Sequence, residues 1–195
     1  MVADGSQRRQ RLRRATQLAH ASLDSRIGEH ELLNSRERYQ GYLQAMWTAR
    51  RPLELALEDA KAAEAYPLWR ERDVSAALSQ DINDLSGHRP LDPTRGNRPT
   101  ASLTTAQALG VLYVLEGSAL GARVLEKRAL AIGMTPTFGA RHMARQTAQP
   151  NAWAVFVDLL DNAPLSAPEY LACVAAALAA FEAFELAFLT GDNDR

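Results

Sequence analysis

Apolar residues recur at the spacing of an α-helix along nearly the whole chain, and this periodicity is the strongest constraint on its fold. In the first such segment, one helical stripe comprises Leu12, Ala15, Ala19 and Leu23. In the second, the apolar face comprises Tyr39, Tyr42, Leu43, Met46 and Trp47. No run alternates apolar and polar residues between turn signals, as a half-buried strand would. The pattern predicts an all-α, single-domain bundle of roughly seven or eight helices.

Turn-forming and capping residues predict where several of these helices begin and end. Gly28 supplies a stop signal for the first helix, and Pro52 is expected to kink or interrupt the second. Another helix ends at Gly87, where a long loop rich in proline and glycine begins. Helix resumes over residues 104–132, and the last helix has Ser166 as its N-cap.

Composition limits the class of protein. With 195 residues, 47% of them hydrophobic, the chain fits one soluble domain over 1–195, with residues 1–10 as a flexible tail. A formal net charge of −1 gives no general attraction to nucleic acid or to an anionic membrane, so neither is expected as a partner. The single cysteine, Cys173, excludes an intramolecular disulfide and favours the reducing cytoplasm. The most apolar segment, Tyr170–Phe181, is too short to span a bilayer.

The segment GVLYVLEGSALGAR, residues 110–123, reads as a helix that nevertheless carries Gly117 and Gly121. Two glycines in a helix interior cost roughly 2 kcal/mol relative to alanine. Their spacing of four places both on one face, where the backbone is bare. Two explanations stay open at even odds. Either another helix packs closely against this face, or a ligand does.

A second candidate site lies on the first helix, where His20 precedes Asp24 by one turn. Such a pair shares a helix face, and a carboxylate that accepts from one imidazole nitrogen orients the other toward a metal. The alternative is a partly buried core histidine with an incidental acidic neighbour, and spacing alone favours this alternative. Arg13 projects from the same side about 10 Å along the helix, where it can reach the carboxylate edge of a large planar ligand.

The remaining histidines, His30, His88 and His142, form no i, i+4 pair and no His-Glu-x-x-His motif, which argues against a multi-histidine metal site. A serine nucleophile elbow is absent as well. A haem site, in contrast, would account for both the His20–Asp24 pair and the pair of glycines at 117 and 121. Its iron takes one axial imidazole, and a distal side with little side-chain bulk leaves room for dioxygen.

In four segments the chain resembles the haem oxygenases, specifically the bacterial type found in haem uptake and in phytochrome chromophore supply. The segments are LRRATQLAHASLD, ALGVLYVLEGSALGARVL, GARHM and AWAVFVDLL, in that order. The resemblance runs over most of the chain. It implies a bundle that holds haem between a proximal N-terminal helix and a kinked distal helix.

The resemblance also implies roles for individual residues. His20 would be the axial ligand of the haem iron and Asp24 its hydrogen-bond acceptor. Gly117 and Gly121 would lie over the distal haem face with Ser118 between them, as the catalytic segment. The other implied haem contacts are Arg13 at a propionate, Tyr113 in the pocket wall, and Phe184 where some members place a propionate-binding tyrosine.

The implied reaction is the oxidative cleavage of haem to biliverdin, carbon monoxide and iron, with haem as both substrate and cofactor. Electrons would come from a ferredoxin, a flavodoxin or a reductase, because the chain carries no nucleotide-binding fingerprint. A phytochrome is one possible acceptor of the biliverdin. A haem carrier or sensor on the same fold, and a helical interaction protein without haem, are the alternatives.

Overall fold

The computed structural model describes residues 6–29, 32–96 and 102–190. Within these ranges it contains nine helices and no strand, which confirms the all-α prediction. Two of the nine are single turns of four residues. The helices are α1 (Ser6–Glu29), α2 (Arg36–Asp59), α3 (Ala62–Ala65), α4 (Trp69–Arg72), α5 (Ser75–Ser86), α6 (Thr105–Ala131), α7 (Arg141–Thr147), α8 (Ala152–Asn162) and α9 (Ala167–Thr190).

Capping residues end several helices where the sequence predicts a helix boundary. Helix α6 starts with a capping box in which Thr104 Oγ1 accepts from Gln107 N, while Gln107 Oε1 accepts from Thr104 N. Before α9, Ser166 N donates to Glu169 Oε2 at 2.8 Å, and Ser166 Oγ accepts from Glu169 N. Gly87 ends α5 with a φ of 77°, a left-handed conformation that favours glycine.

The structure differs from the sequence expectations in two places, the N-terminal tail and Pro52. Residues 6–10, expected to belong to a flexible tail, form the first turns of α1, while residues 1–5 lie outside the described ranges. The tail prediction fails there because α8 holds this turn: Arg8 Nη1 donates to the Asp161 carbonyl at 2.9 Å, and Arg9 N donates to Asp161 Oδ1 at 3.0 Å. Helix α2 continues without interruption through Pro52, since buried residues on both sides of the proline hold it in the core.

The centre of the fold is α9, which packs against α1, α2 and α6. Its inward face is built from small residues, among them Cys173, Ala177 and Ala180, all fully buried. At Gly110 the backbones of α6 and α9 touch. A Cβ built on this glycine would lie 2.1 Å from the Cys173 carbonyl oxygen. Close helix packing therefore uses Gly110, a glycine that the sequence pattern does not single out.

Both α6 and α9 are long and apolar enough to cross a membrane by length and composition alone. Helix α9 also contains the segment 170–181, which by itself is too short to do so. The fold buries half of the apolar stretch of α6 and 39% of that of α9. Core helices of soluble proteins pass the same test, so the two helices are weak evidence for a membrane span.

Gly110→Ala should lower the free energy of unfolding by about 1–3 kcal/mol, because its methyl group would overlap the α9 backbone. Gly121→Ala is the matched control on the same helix, since a Cβ there meets nothing within 4 Å. It should be neutral or should stabilise the fold by up to about 1 kcal/mol through helix propensity. Urea unfolding followed by circular dichroism measures both. Equal effects at the two positions would show that the α6–α9 contact is not tight.

Candidate functional site

His20 lies on an exposed face of α1 and is oriented by its own helix. Its Nδ1 is 2.9 Å from Asp24 Oδ2, one turn later, and its side chain is 61% exposed. The ring packs edge-on against Phe181 of α9, with ring centroids 5.8 Å apart. Among the described residues, nothing hydrogen-bonds to His20 Nε2. With the Nδ1 proton directed at Asp24, Nε2 presents its lone pair to a metal.

Neither Gly117 nor Gly121 is a close packing contact between helices. A Cβ on Gly121 would meet nothing within 4 Å, and one on Gly117 would touch only the Trp153 ring, at 3.7 Å. Gly110, seven residues before Gly117, shows by contrast what a packing glycine looks like in this fold. The open space at Gly121 excludes helix packing as its explanation and leaves bare backbone available to a ligand.

Tyr113 of α6 packs against α8 on the N-terminal side of these glycines, with its ring 5.7 Å from that of Trp153. Burial raises the pKa of Tyr113, while Thr16, Arg13 and Arg9 of α1 act in the opposite direction. Arg13 is exposed on α1, near enough for its charge to act on Tyr113.

The last helix brings Phe181, which the sequence did not single out, against His20. Phe184 is 4% exposed and lies in the hydrophobic core. One turn earlier, Phe181 makes the contact with the His20 ring. Periodicity alone cannot separate these two positions, because both lie on the buried side of α9. A role for Phe184 in haem binding stays a prediction.

Ser118 lies in a hydrogen-bond network that the sequence does not reveal. Its Oγ donates to the Leu115 carbonyl at 2.7 Å and accepts from Arg50 Nη1 at 3.3 Å and from Gln146 Nε2 at 3.1 Å. These three partners belong to α6, α2 and α7. One signal for Arg50 was available: it lies on the apolar stripe of α2, seven residues after Leu43, where a charge is out of place.

Glu54 balances the buried charge of Arg50. The two side chains are 2% and 0% exposed, and Arg50 Nε lies 2.5 Å from Glu54 Oε1. Glu54 also accepts from Val74 N and from Ser75 N and Oγ, which ties α2 to the start of α5. Burial nevertheless raises the pKa of Glu54 to about 7, against a smaller opposing effect of Arg50. Arg50 is thus held in place by a carboxylate that titrates near neutral pH.

A second buried ion pair borders the same segment. Arg72 Nε donates to both oxygens of Glu116, at 3.1 and 3.2 Å, and Glu116 immediately precedes Gly117. Arg72 Nη1 also donates to the Gln146 carbonyl, so α4, α6 and α7 meet at this point. Buried polar contacts therefore hold the bare stretch of α6, the turn from Gly117 to Gly121.

The other described histidines offer no competing metal site. His142 is fully buried, with Nδ1 2.7 Å from Asp81 Oδ2, and His88 Nδ1 lies 3.0 Å from the Ser86 carbonyl oxygen at the end of α5. Within the described ranges, no group of three or more histidine, cysteine or acidic side chains is arranged to hold a metal ion. His30 lies outside those ranges.

Comparison with known proteins gives a consistent result. The family model described as Heme oxygenase matches residues 6–190. The chain is 33% identical over 178 residues to "Heme oxygenase PigA" of Pseudomonas aeruginosa, covering 91% of this chain and 89% of that protein. Among solved structures, the NO- and CO-bound heme oxygenase of Neisseria meningitidis superposes with a TM-score of 0.81 at 26% identity, over 93% of this chain and 90% of that one. The heme oxygenase of Leptospira interrogans has the same fold, with a TM-score of 0.68 at 17% identity, over 91% and 96% of the two chains.

Glu54 should make the free energy of unfolding fall as pH rises, whereas a salt-bridged surface acid makes it rise. Between its unfolded pKa of 4.5 and its folded pKa of about 7, the folded chain keeps a proton that the unfolded chain has lost. Relative to Glu54→Gln, the wild-type free energy of unfolding should therefore fall as pH rises through this window, by up to about 1.4 kcal/mol per pH unit.

Urea unfolding of both proteins at pH 5 and pH 7.5 measures this difference. Glu64→Gln is the control, because Glu64 is 73% exposed. A wild-type-minus-variant difference that is the same at both pH values would contradict the burial effect on Glu54.

Proposed function

The chain belongs to the haem oxygenase family, and from this premise we propose that it binds haem as its substrate and cleaves it, using dioxygen and external electrons, to biliverdin, carbon monoxide and iron. The observation that carries the proposal is His20, exposed on α1, with Nδ1 held by Asp24 and no hydrogen bond to Nε2 from the part of the chain that the structure describes. A histidine in this arrangement is prepared to ligate iron.

The proximal side would be formed by α1 and α9. His20 Nε2 would bind the haem iron, while Asp24 keeps the imidazole in the correct tautomer and orientation. Phe181 limits rotation of the ring by packing on its edge. An imidazole ligand, unlike a thiolate, does not push electron density toward early cleavage of the O–O bond.

The distal side would be formed by α6. Haem supplies the redox chemistry that activates dioxygen, and the chain supplies the shape and polarity around it. Bare backbone at Gly117 and Gly121 lets α6 lie close to the porphyrin plane without a side chain in between. The Neisseria relative is described with NO and CO bound, so a diatomic ligand fits a site of this fold. Ser118, between the two glycines, would complete the catalytic segment.

The edge of the haem would lie near the N-terminal half of α1. Arg13 is exposed there and can pair with a propionate, and Tyr113 lies within reach of its charge. Phe184 would line the site from the core, behind Phe181. Arg13 and Tyr113, together with His20, would fix which way the haem faces in the site.

Electrons would come from a separate protein, a ferredoxin, a flavodoxin or a reductase. Biliverdin would pass to an acceptor such as a phytochrome or be discarded after iron release. A cytoplasmic location suits this role. It is supported by the free, buried Cys173 and by a net charge near zero.

His20→Ala should abolish native axial ligation and turnover while the protein remains folded, because His20 is exposed and carries only a local ion pair. The test is a hemin titration followed by reductant in air with catalase present. In the wild type, saturable binding should be followed by loss of the Soret band and a rise in red biliverdin absorbance. His88→Ala, which alters another exposed histidine, should behave as wild type. A wild-type Soret band that survives reduction would indicate a haem carrier or sensor, and no saturable binding would overturn the proposal.

Gly121→Leu should hinder ligand access or displace the haem without loss of stability, since a Cβ at this position meets no other atom of the protein within 4 Å. Leucine at Gly117 is a less clean test, because it would also collide with Trp153. The measurement is carbon monoxide binding to the reduced haem complex, beside thermal unfolding of the protein without haem. Carbon monoxide binding and turnover at wild-type levels would show that α6 does not cover the distal face.

A further inference from the structure

A cavity of about 500 Å³ lies among α2, α4, α5, α7 and the loop that follows α5. The residues that line it include none from α1, α6 or α9, so the cavity is separate from the proposed haem site. Its volume is in the range of sites that bind small molecules. Four of the lining residues are arginines, namely Arg51, Arg70, Arg89 and Arg145.

Three carboxylates also line the cavity, and two of them neutralise a single arginine. Arg51 Nη1 lies 3.5 Å from Glu58 Oε1, and Arg51 Nε lies 3.7 Å from Asp92 Oδ2. The third carboxylate belongs to Asp73, whose Oδ1 accepts from Ser75 N at 2.8 Å at the start of α5. The other three arginines therefore have no carboxylate partner among the described residues.

Backbone carbonyls, not carboxylates, orient the guanidinium of Arg145. Its Nε donates to the Asp73 carbonyl, and its Nη2 donates to the Arg70 carbonyl at 3.0 Å. Neither acceptor carries a full negative charge, so the positive charge of Arg145 is held in a fixed place without a counter-charge. Its Nη1 donates to no acceptor within the described ranges and is left for a ligand.

The loop that carries Arg89 is fastened to α2. Trp47 Nε1 donates to the Leu91 carbonyl at 2.8 Å, two residues after Arg89. In the part of the chain that the structure describes, the Arg89 side chain has no hydrogen bond or ion pair, and it is exposed. The loop thus brings a second arginine without a counter-charge to the cavity.

The first turn of α5 forms another part of the wall, through Ser75, Ala76, Ala77 and Ser79. The backbone N–H groups at a helix start have no acceptor within their own helix. Here Glu54 accepts from Ser75 N, whereas no described residue accepts from Ala76 N or Ala77 N. The partial positive charge of this helix end adds to that of the arginines.

From this arrangement we propose that the cavity binds a small anion that carries at least two phosphate or carboxylate groups. Guanidinium groups around one cavity repel one another, and an anion between them removes this repulsion while it accepts charge-assisted hydrogen bonds. At least two anionic groups are expected because Arg89 and Arg145 reach the cavity from different elements, the loop after α5 and α7. The inference goes beyond the proposed function, since neither haem nor His20 takes part in it.

Isothermal titration calorimetry of the haem-free protein at constant ionic strength tests the proposal, with pyrophosphate and citrate as probes. The wild type should bind one probe per chain, and the tighter of the two identifies phosphate or carboxylate as the preferred group. Arg89→Gln should raise the Kd of that probe about tenfold, because it removes one charge-assisted hydrogen bond. Arg14→Gln is the control, since it removes an exposed arginine of α1 outside the cavity and should leave the Kd unchanged.

A matched pair of variants at Ala76 separates loss of the site from loss of the fold. Ala76→Glu places a carboxylate in the first turn of α5, where it repels an anion in the cavity but stabilises the helix. It should raise the Kd by more than about tenfold without lowering the thermal unfolding midpoint of the protein free of probe. Ala76→Gln adds a neutral side chain of the same size and should bind the probe nearly as the wild type does.

The outcomes decide the proposal without reference to haem. No saturable binding of either probe to the wild type would overturn it. An unchanged Kd in Arg89→Gln, or equal effects of Ala76→Glu and Ala76→Gln, would show that the anion does not bind in this cavity. Both Arg89→Gln and Ala76→Glu should bind hemin through His20 as the wild type does, so failure of the proposed function would leave these results in place.

Discussion

The close approach of α6 to α9 at Gly110 determines where both sides of the proposed haem site lie. Because the α6 backbone at Gly110 is in van der Waals contact with the Cys173 carbonyl, this contact fixes the distance between α6 and α9. Helix α1 packs on the same α9 and places His20 against Phe181. The shared helix α9 therefore sets the separation between His20 and the stretch of α6 that contains Gly117 and Gly121.

Behind the bare stretch, the fold buries two ion pairs, Arg50–Glu54 and Arg72–Glu116. Burying charge costs several kcal/mol per ion, and ion pairs recover this cost only when further hydrogen bonds complete them. Here Ser75 N donates to Glu54 and Arg72 donates to the Gln146 carbonyl, and both bonds run between helices. Such an arrangement contributes little to net stability. Its effect is to fix the orientation of α6 where the missing side chains of Gly117 and Gly121 would otherwise leave it poorly held.

Much of the fold could be predicted from the sequence because it depends on local signals. The capping box at Thr104, the Gly87 stop and the Ser166 cap each involve residues within four positions of one another. Pro52, in contrast, is a local signal that predicts an interruption which α2 does not have. The local cost of a proline is real, but burial on both sides of it, which no local rule contains, keeps α2 whole. Helix α7, seven residues long, has no local signal of this kind and is held by long-range bonds such as the one from His142 N to Asp81.

The same distinction divides the proposed site. The His20–Asp24 pair is formed within one helical turn, so the sequence alone contains it. The surroundings of Ser118 come from α2, α6 and α7, and two of its three hydrogen bonds are to residues 28 and 68 positions away along the chain. A chain can therefore keep the His20–Asp24 pair and the two glycines while substitutions on distant helices change the surroundings of Ser118. Resemblance in the motif segments identifies the reaction, whereas the hydrogen bonds around Ser118 are a property of the tertiary structure.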